Sequence, residues 1–561
     1  MKGVDGRFNA AATGSTGVGV GVGLTVPFSL LQAIRMLIPV IAETIKSFWR
    51  VAIMWFVLNP DLTGGTKIGL KYFVFKVQQS CRRYLRSFWS NPSLLLSFIC
   101  SMSSISSLTA FNKPFFIGVA GSGMSALAQY LQGIGKDVSG SDRFFAPGEY
   151  NETEEKLEAE GIRCFVQDGS GITDATDLVV ASTAIEDSVP EIQKARQMGI
   201  PVLRRSELLA LIAASKKTIA VGGTSGKSTT SAMLFDILQK AGLEPSIISG
   251  AGLISIIKQG KIGNAQVGKG EWLVIEADES DGSIVQYSPE IGLLLNIDKD
   301  HQEVDELMRI FGVFKSNSRF FTVNRSHPLA TGFSQDPQYD FSTDETIPAG
   351  YMAKDFAQEG FGVQFSVAGT PFALQVLGRH NMENALAATA VANRIGVPLE
   401  TCAAALKNYE GIYRRHQVYG QKNGIWFIDD YAHNPVKCAA AIQACQPVAS
   451  KVIAWFQPHG YKPTKFLRDE FVKEIAAVLR PADEIWMSEI YYAGGTAVKD
   501  ISANDLIGDL KARGCNAWYC EDRNEFLAMA RPHFDKDCVL LLMGARDPSL
   551  ESFARQVWDQ L

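Results

Sequence analysis

At 561 residues the chain has room for three or four domains, and a content of 46% hydrophobic and 20% charged residues excludes a collagen-like, low-complexity or wholly disordered protein. Nine scattered cysteines with no C-x-x-C pair and no zinc-type Cys/His spacing exclude a disulfide framework and a structural zinc site, and suit a reducing, cytoplasmic location. The net charge of -5 is uneven: residues 1–112 carry 11 Lys and Arg against 3 Asp and Glu, the remaining 449 carry 43 against 56, and an acidic body without a basic run argues against nucleic acid as a partner.

Residues 12–26 are a Gly/Val repeat, and the apolar stretch Phe28 to Leu58 is interrupted by Arg35, Glu43, Lys46 and Arg50. Between Arg86 and Lys113 lie 26 uncharged residues, but nine are Ser, and the dense apolar run Leu94 to Cys100 is far short of the roughly 20 residues that a bilayer helix needs. Residues 1–112 therefore read as an extension that contributes nothing to activity, with Met102 as an alternative start. Interfacial membrane association through the basic charges and Trp49, Trp55 and Trp89 is the competing reading.

From Lys113 the pattern changes to a short apolar strand, a glycine turn, an apolar-periodic helix and a second strand ending at Asp142. Gly118, Gly121 and Gly123 let the backbone approach a diphosphate at a helix N-terminus, although their G-x-x-G-x-G spacing is not the usual dinucleotide fingerprint. Strand-like segments at 177–183 and 201–212 continue the alternation, so a first α/β domain spans 113–214.

The next segment, KKTIAVGGTSGKSTTSAMLFDILQKAG, is a strand, a glycine-rich loop and a helix. Gly223, Thr224, Gly226 and Thr229 place successive N–H groups on phosphate oxygens, Lys227 supplies charge to the β/γ-phosphates, and the Ser228 hydroxyl suits Mg²⁺. The strand at 272–275 delivers Glu276, Asp278, Glu279 and Asp281, and a second strand ends in Asn296, Asp298, Asp300 and His301. Glu276 and His301 are the expected metal ligands, and the other carboxylates are expected to be solvated.

With these motifs in view, the order GSGMSALA with SGSD, GTSGKSTT, EADESD, NIDKDH, GRHNMENALAA, GIYRRHQ, DDYAHNP and FQPHGY resembles the Mur ligases, ATP-dependent amide-forming enzymes of peptidoglycan precursor synthesis. EADESDGS and Y-R-R are most similar to the alanine-adding members. The resemblance implies a Rossmann-like UDP-sugar domain (113–214), a central P-loop ATPase domain (215–411) and a C-terminal Rossmann-like domain for the amino acid (412–561). It implies joining L-alanine to the lactyl carboxylate of UDP-N-acetylmuramate through an acyl phosphate, with a murein tripeptide or another amino acid as the alternative acceptor and a noncatalytic nucleotide-binding regulator as the competing class.

By the same resemblance, Gly121, Ser122, Gly123, Met124, Ser125 and Asp142 bind the UDP-sugar. Ser228 and Glu276 hold one Mg²⁺ and His301 a second. His380, Asn381 and Asn384 surround the adenine, Asp430 takes the ribose, and His433 sits near the phosphates. Arg414 or Arg415 reaches ATP phosphate, with Arg414 as the catalytic choice; Arg415, His459 and Lys462 are left for the amino acid. Two departures stand out: Gly460 and Pro463 occupy positions where alanine-adding enzymes carry Arg for the acceptor carboxylate.

Overall fold

The computed structural model describes residues 105–183, 185–299, 302–492 and 498–561. His301, and the start-site and membrane readings of the extension up to residue 104, lie outside these residues.

The first sheet has five parallel strands in the order β3-β2-β1-β4-β5: β1 Pro114–Ile117, β2 Ser139–Asp142, β3 Arg163–Val166, β4 Leu178–Ala181 and β5 Val202–Arg204. Strand order reverses at β1, so the loop that follows it opens where ligands enter such sheets. The polar strand β2 is nonetheless buried: the Ser141 hydroxyl donates to Glu191 at 3.0 Å, and a Cβ on Gly140 would lie 2.7 Å from the Phe116 carbonyl oxygen. The segment expected at 201–212 divides into the three-residue β5 and the helix Arg205–Ala214, because Leu208, Leu209 and Ile212 recur at helical spacing and Glu207 accepts the Arg204 N–H.

The second sheet orders β6 Lys217–Gly222, β7 Ser246–Ile248, β8 Ala265–Gln266, β9 Trp272–Glu276, β10 Ile291–Leu294 and β11 Phe320–Val323 as β11-β10-β6-β9-β7-β8, parallel except for β8. Register sets Val221 beside Glu276 and Gly222 beside Leu294, so the glycine loop and both acidic strand ends emerge on one edge.

The sequence does not announce the third sheet, β12 Phe341–Ser342, β13 Tyr351–Glu359, β14 Gly362–Val367 and β15 Thr370–Leu374. A register shift between Lys354 and Ala357, with Asp355 in left-handed backbone at φ 56°, breaks the alternation of β13 that would have flagged it.

The last sheet runs β16-β17-β21-β18-β19-β20, formed by β16 Gln417–Lys422, β17 Ile425–Asp430, β18 Lys451–Gln457, β19 Glu484–Met487, β20 Ala517–Tyr519 and β21 Cys538–Gly544. Its central strands read as unbroken apolar runs because both faces carry a core, with Ile428, Phe456 and Leu541 on one side and Phe427, Trp455 and Leu540 on the other. The first two sheets instead share a core: Val119, Leu127 and Leu131 pack in one cluster with Ile275, Leu294 and Phe311. No helix among the described residues is long and apolar enough to cross a membrane.

Candidate active site

The strand β6, the loop after it and the helix Lys227–Lys240 form the expected strand, glycine-rich loop and helix. Gly223 and Gly226 take φ of 137° and 83°, which only glycine adopts without strain, and a Cβ on Gly226 would collide with Asn384 Oδ1. Thr224 and Ser225 are tied to β10 through Asn296, whose Oδ1 accepts the Thr224 hydroxyl at 3.0 Å and the Ser225 N–H at 2.8 Å.

Lys227 Nζ lies 2.6 Å from Glu279 Oε2 and donates to the Gly223 carbonyl at 2.7 Å. Burial opposes the ammonium charge, but Glu279, Asp278 and Glu276 around it hold Lys227 protonated above its ordinary value. Glu279 was expected to be a solvated loop acid; its side chain is instead 4% exposed, because it is the counter-ion of this lysine.

Ser228 Oγ donates to Glu276 Oε2 at 2.9 Å, while Glu276 Oε1 accepts the Ser249 hydroxyl and the Gly250 N–H, each at 2.6 Å. A hydroxyl beside a fixed carboxylate, with Asp278 and Asp298 on the same wall, is a set of hard oxygen donors that fits Mg²⁺. Among the described residues no three acidic, His or Cys side chains gather into a metal cage.

These groups line a cavity of about 470 Å³ whose opposite wall is built by the C-terminal sheet and its loops. His380, Asn381 and Asn384 lie in it at the start of the helix Arg379–Arg394, where Asn381 Nδ2 donates to the Leu377 carbonyl and Asn384 Oδ1 accepts the Thr230 hydroxyl. Burial pushes the His380 imidazole down to about 3, with His416 adding to the effect, so it is neutral.

Strand alternation in β17 decides the roles of the two arginines. Asp429 takes Arg414, which donates from Nε at 2.8 Å and from Nη2 at 3.2 Å and also reaches the Gly544 carbonyl. Asp430 takes His416, whose N–H and Nδ1 lie 2.6 and 3.0 Å from Oδ2. Arg415 is left between them and lines the cavity, whereas Arg414 is buried and does not. Arg414 was the expected phosphate contact; here its guanidinium is held away from the cavity by the buried Asp429, and its neighbour Arg415 faces the cavity instead.

Asp430 also accepts the Ala432 N–H at 2.6 Å, and His433 Nδ1 lies 2.9 Å from the Tyr431 carbonyl. His433 lines both this cavity and a second one of about 370 Å³, whose wall carries Phe456, Pro458, His459, Lys462, Pro463 and Leu467. Sequence reasoning missed His416, Glu383 and Arg546 on the first cavity; no spacing signal marks them, and His416 and Glu383 are held there by Asp430 and Asn324, 14 and 59 residues away.

On the first sheet the glycine loop leads into the helix Ser122–Gly133. Gly121, Ser122 and Gly123 lie at the surface of the loop. Met124 and Ser125 are buried, and their N–H groups already bond to the Gly121 carbonyl at 2.9 and 2.8 Å. Asp142 is likewise committed to the loop, accepting the Ala120 and Phe144 N–H groups at 3.0 and 3.1 Å.

Three family profiles match this chain in succession: "Mur ligase family, catalytic domain" over residues 115–217, "Mur ligase middle domain" over 221–392, and "Mur ligase, glutamate ligase domain" over 414–546. The chain belongs to the Mur ligase family. As a Mur ligase it is an ATP-dependent enzyme that forms amide bonds. It is 35% identical to a UDP-N-acetylmuramate–L-alanine ligase of Carboxydothermus hydrogenoformans over 77% of this chain and 93% of that one, and 36% identical to one of Pelotomaculum thermopropionicum over 77% and 94%. Among solved Mur ligases, the UDP-N-acetylmuramate-alanine ligase of Thermotoga maritima superposes with a TM-score of 0.66 at 26% identity, over 80% of this chain and 99% of that one. A murein peptide ligase of Psychrobacter arcticus shares the fold at a TM-score of 0.57 and 20% identity, covering 80% and 98%.

Proposed function

We propose that the enzyme joins L-alanine to the lactyl carboxylate of UDP-N-acetylmuramate at the expense of ATP, releasing ADP and phosphate. The observation that carries this reading is the single cavity in which Lys227 and the Ser228–Glu276 pair face Arg415, Asp430 and His433 across a domain boundary. The names of the alanine-ligase relatives favour these substrates. In this reading residues 113–214 take the UDP-sugar, 215–411 take ATP, and 412–561 bring the acceptor.

A carboxylate and a triphosphate repel each other until cations intervene. Lys227, released from Glu279, neutralises the β/γ-phosphates, and Arg415 does so from the C-terminal side when the domains close. Ser228 and Glu276 would hold a Mg²⁺, which supplies charge neutralisation at the phosphate oxygens. The lactyl carboxylate oxygen attacks the γ-phosphorus, and the bond to ADP breaks, leaving an acyl phosphate. The acceptor's amine then attacks the acyl carbon, phosphate leaves with the C–O bond electrons, and an amide remains. His433, shared by both cavities, is our choice for the base that takes the amine's proton. Asp430, fixed by His416 and the Ala432 N–H, is assigned to the ribose.

The second cavity is our acceptor site, with Lys462 and His459 as candidates for the acceptor's carboxylate where Gly460 and Pro463 provide no cation. At about 370 Å³, with Phe456, Phe466 and Phe471 on its wall, it exceeds what one alanine fills, and this favours a peptide acceptor as the second reading. Phosphate release from ATP and Mg²⁺ with UDP-N-acetylmuramate, screened over L-alanine, other amino acids and the tripeptide with product mass recorded, tests both. Turnover with L-alanine is expected, turnover only with the peptide selects the second reading, and no release with any acceptor overturns both.

A further inference from the structure

Arg205 joins the two nucleotide sites physically. It opens the helix Arg205–Ala214, and its guanidinium lies directly against the glycine loop: a Cβ on Gly123 would fall 3.1 Å from Nη1 and 3.2 Å from Cδ. A side chain at position 123 would require this guanidinium to give by a few tenths of an ångström. The far edge of the same guanidinium donates from Nη2 to Asp281 Oδ2 at 2.9 Å, with both side chains partly open to solvent, at 26% and 27% exposure. Asp281 lies two residues beyond Glu279, the counter-ion of Lys227.

The loop is held from the other side by the central domain. Asn264 Nδ2 donates to the Ser122 carbonyl at 2.7 Å and to Ser125 Oγ at 2.9 Å, and Asn264 Oδ1 accepts from Gln129 Nε2 at 2.8 Å. The loop's place beside Arg205 is thus fixed by buried bonds, while the Arg205–Asp281 pair is solvent-accessible and exchangeable. A guanidinium prefers the bidentate geometry of phosphate as readily as that of carboxylate, so a diphosphate on this loop and the Asp281 carboxylate compete for one cation.

We propose that Arg205 is a ligand of the UDP-sugar's diphosphate and that UDP-sugar binding transfers it from Asp281 to a phosphate oxygen. Through this exchange the occupancy of the UDP-sugar site alters the charge of the acidic turn that holds Lys227. The inference rests on the reading of residues 113–214 as the UDP-sugar domain.

The test is calorimetric titration of the full chain, without ATP, with UDP and with UDP-N-acetylmuramate. Arg205→Met is expected to weaken both about tenfold or more, as loss of a charge-assisted phosphate contact does. Arg205→Lys is expected to fall between Arg205→Met and wild type. Asp281→Asn removes the competitor and is expected to tighten both ligands severalfold, the opposite sign. A purely structural ion pair would weaken binding in both variants alike, so equal weakening, or unchanged binding in a folded Arg205→Met protein, overturns the assignment alone. Should Arg205→Met fail to fold, Asp281→Asn decides: tighter binding supports the exchange, equal or weaker binding overturns it. No binding of UDP or UDP-N-acetylmuramate by wild type overturns the reading of the first domain, and this assignment with it.

Discussion

His416 meets Asp430 twice, through its backbone N–H at 2.6 Å and its Nδ1 at 3.0 Å, and so fixes the carboxylate at the cleft from a residue that itself sits in left-handed backbone at φ 47°. Arg414, at φ 54°, is held by Asp429 through its guanidinium alone, while its backbone N–H donates to Gln417 Oε1 at 3.1 Å. Non-glycine residues in that region cost about 1–2 kcal/mol each. The result is a tight turn that presents Arg415 to the cavity.

His416→Phe is expected to raise the KM for ATP more than it lowers kcat, because it removes the imidazole partner of Asp430, leaving only the backbone N–H groups of residues 416 and 432 on that carboxylate, without touching the reacting groups. Burial opposes the His416 imidazolium, but Asp430 overrides it and holds the group above its ordinary value. A group raised in the folded state adds stability that is complete below about pH 6.5 and is lost as pH climbs through its raised value. The Tm difference between wild type and His416→Phe is therefore expected to be largest near about pH 6 and to shrink towards about pH 9; a constant difference would show that the ion pair does not titrate.

The two neighbouring arginines are expected to separate cleanly. Arg414→Met strands the buried Asp429 and is expected to cost about 3–5 kcal/mol of stability. Arg415→Met is expected to leave Tm near wild type and to raise the KM for ATP. Denaturant unfolding and steady-state kinetics on the two variants check this, and a reversal of the two phenotypes would return the phosphate role to Arg414.

Lys227→Met is expected to lower ATP turnover by on the order of 10²–10³-fold or more, as loss of one preorganised cationic donor does. It also leaves Glu279 buried without its counter-ion. Adding Glu279→Gln is expected to restore Tm but not turnover, and recovery of turnover in the double variant would show that Lys227 serves the fold rather than the phosphates.

Glu383 accepts from Asn324 Nδ2 at 2.7 Å at the cleft wall, and burial pushes its carboxyl up to about 7. A carboxyl raised in the folded state loses stability as pH rises from its unfolded value near 4.3 through about 7. Glu383→Gln keeps an acceptor for Asn324 and needs no buried charge, so it is expected to gain on the order of 1–2 kcal/mol at about pH 8 and much less at about pH 5. A gain that does not vary with pH would point to packing instead.

Where candidate site residues lie close together in the chain, the sequence was sufficient to place them. The glycine loop with Lys227 and Ser228 between a strand and a helix, and Glu276 at the end of a five-residue apolar strand, were legible because periodicity and glycine conformation are local properties. The same is true of the parallel α/β character of three of the sheets. The third sheet was not legible, since the irregularity in β13 erases its alternation.

Choices between equivalent neighbours belonged to tertiary structure. Adjacent arginines look alike in Y-R-R, yet β17 turns Asp429 and Asp430 to opposite faces, and that decides which guanidinium is buried and which is offered to the cleft. Glu279 and Asp281 look equally wet in the sequence, but one is buried against Lys227 and the other is paired with Arg205 across a domain boundary. The local chain determines which charges exist and which element carries them. Desolvation and the nearest opposite charge, both set by segments tens to hundreds of residues away, determine what each charge is free to do.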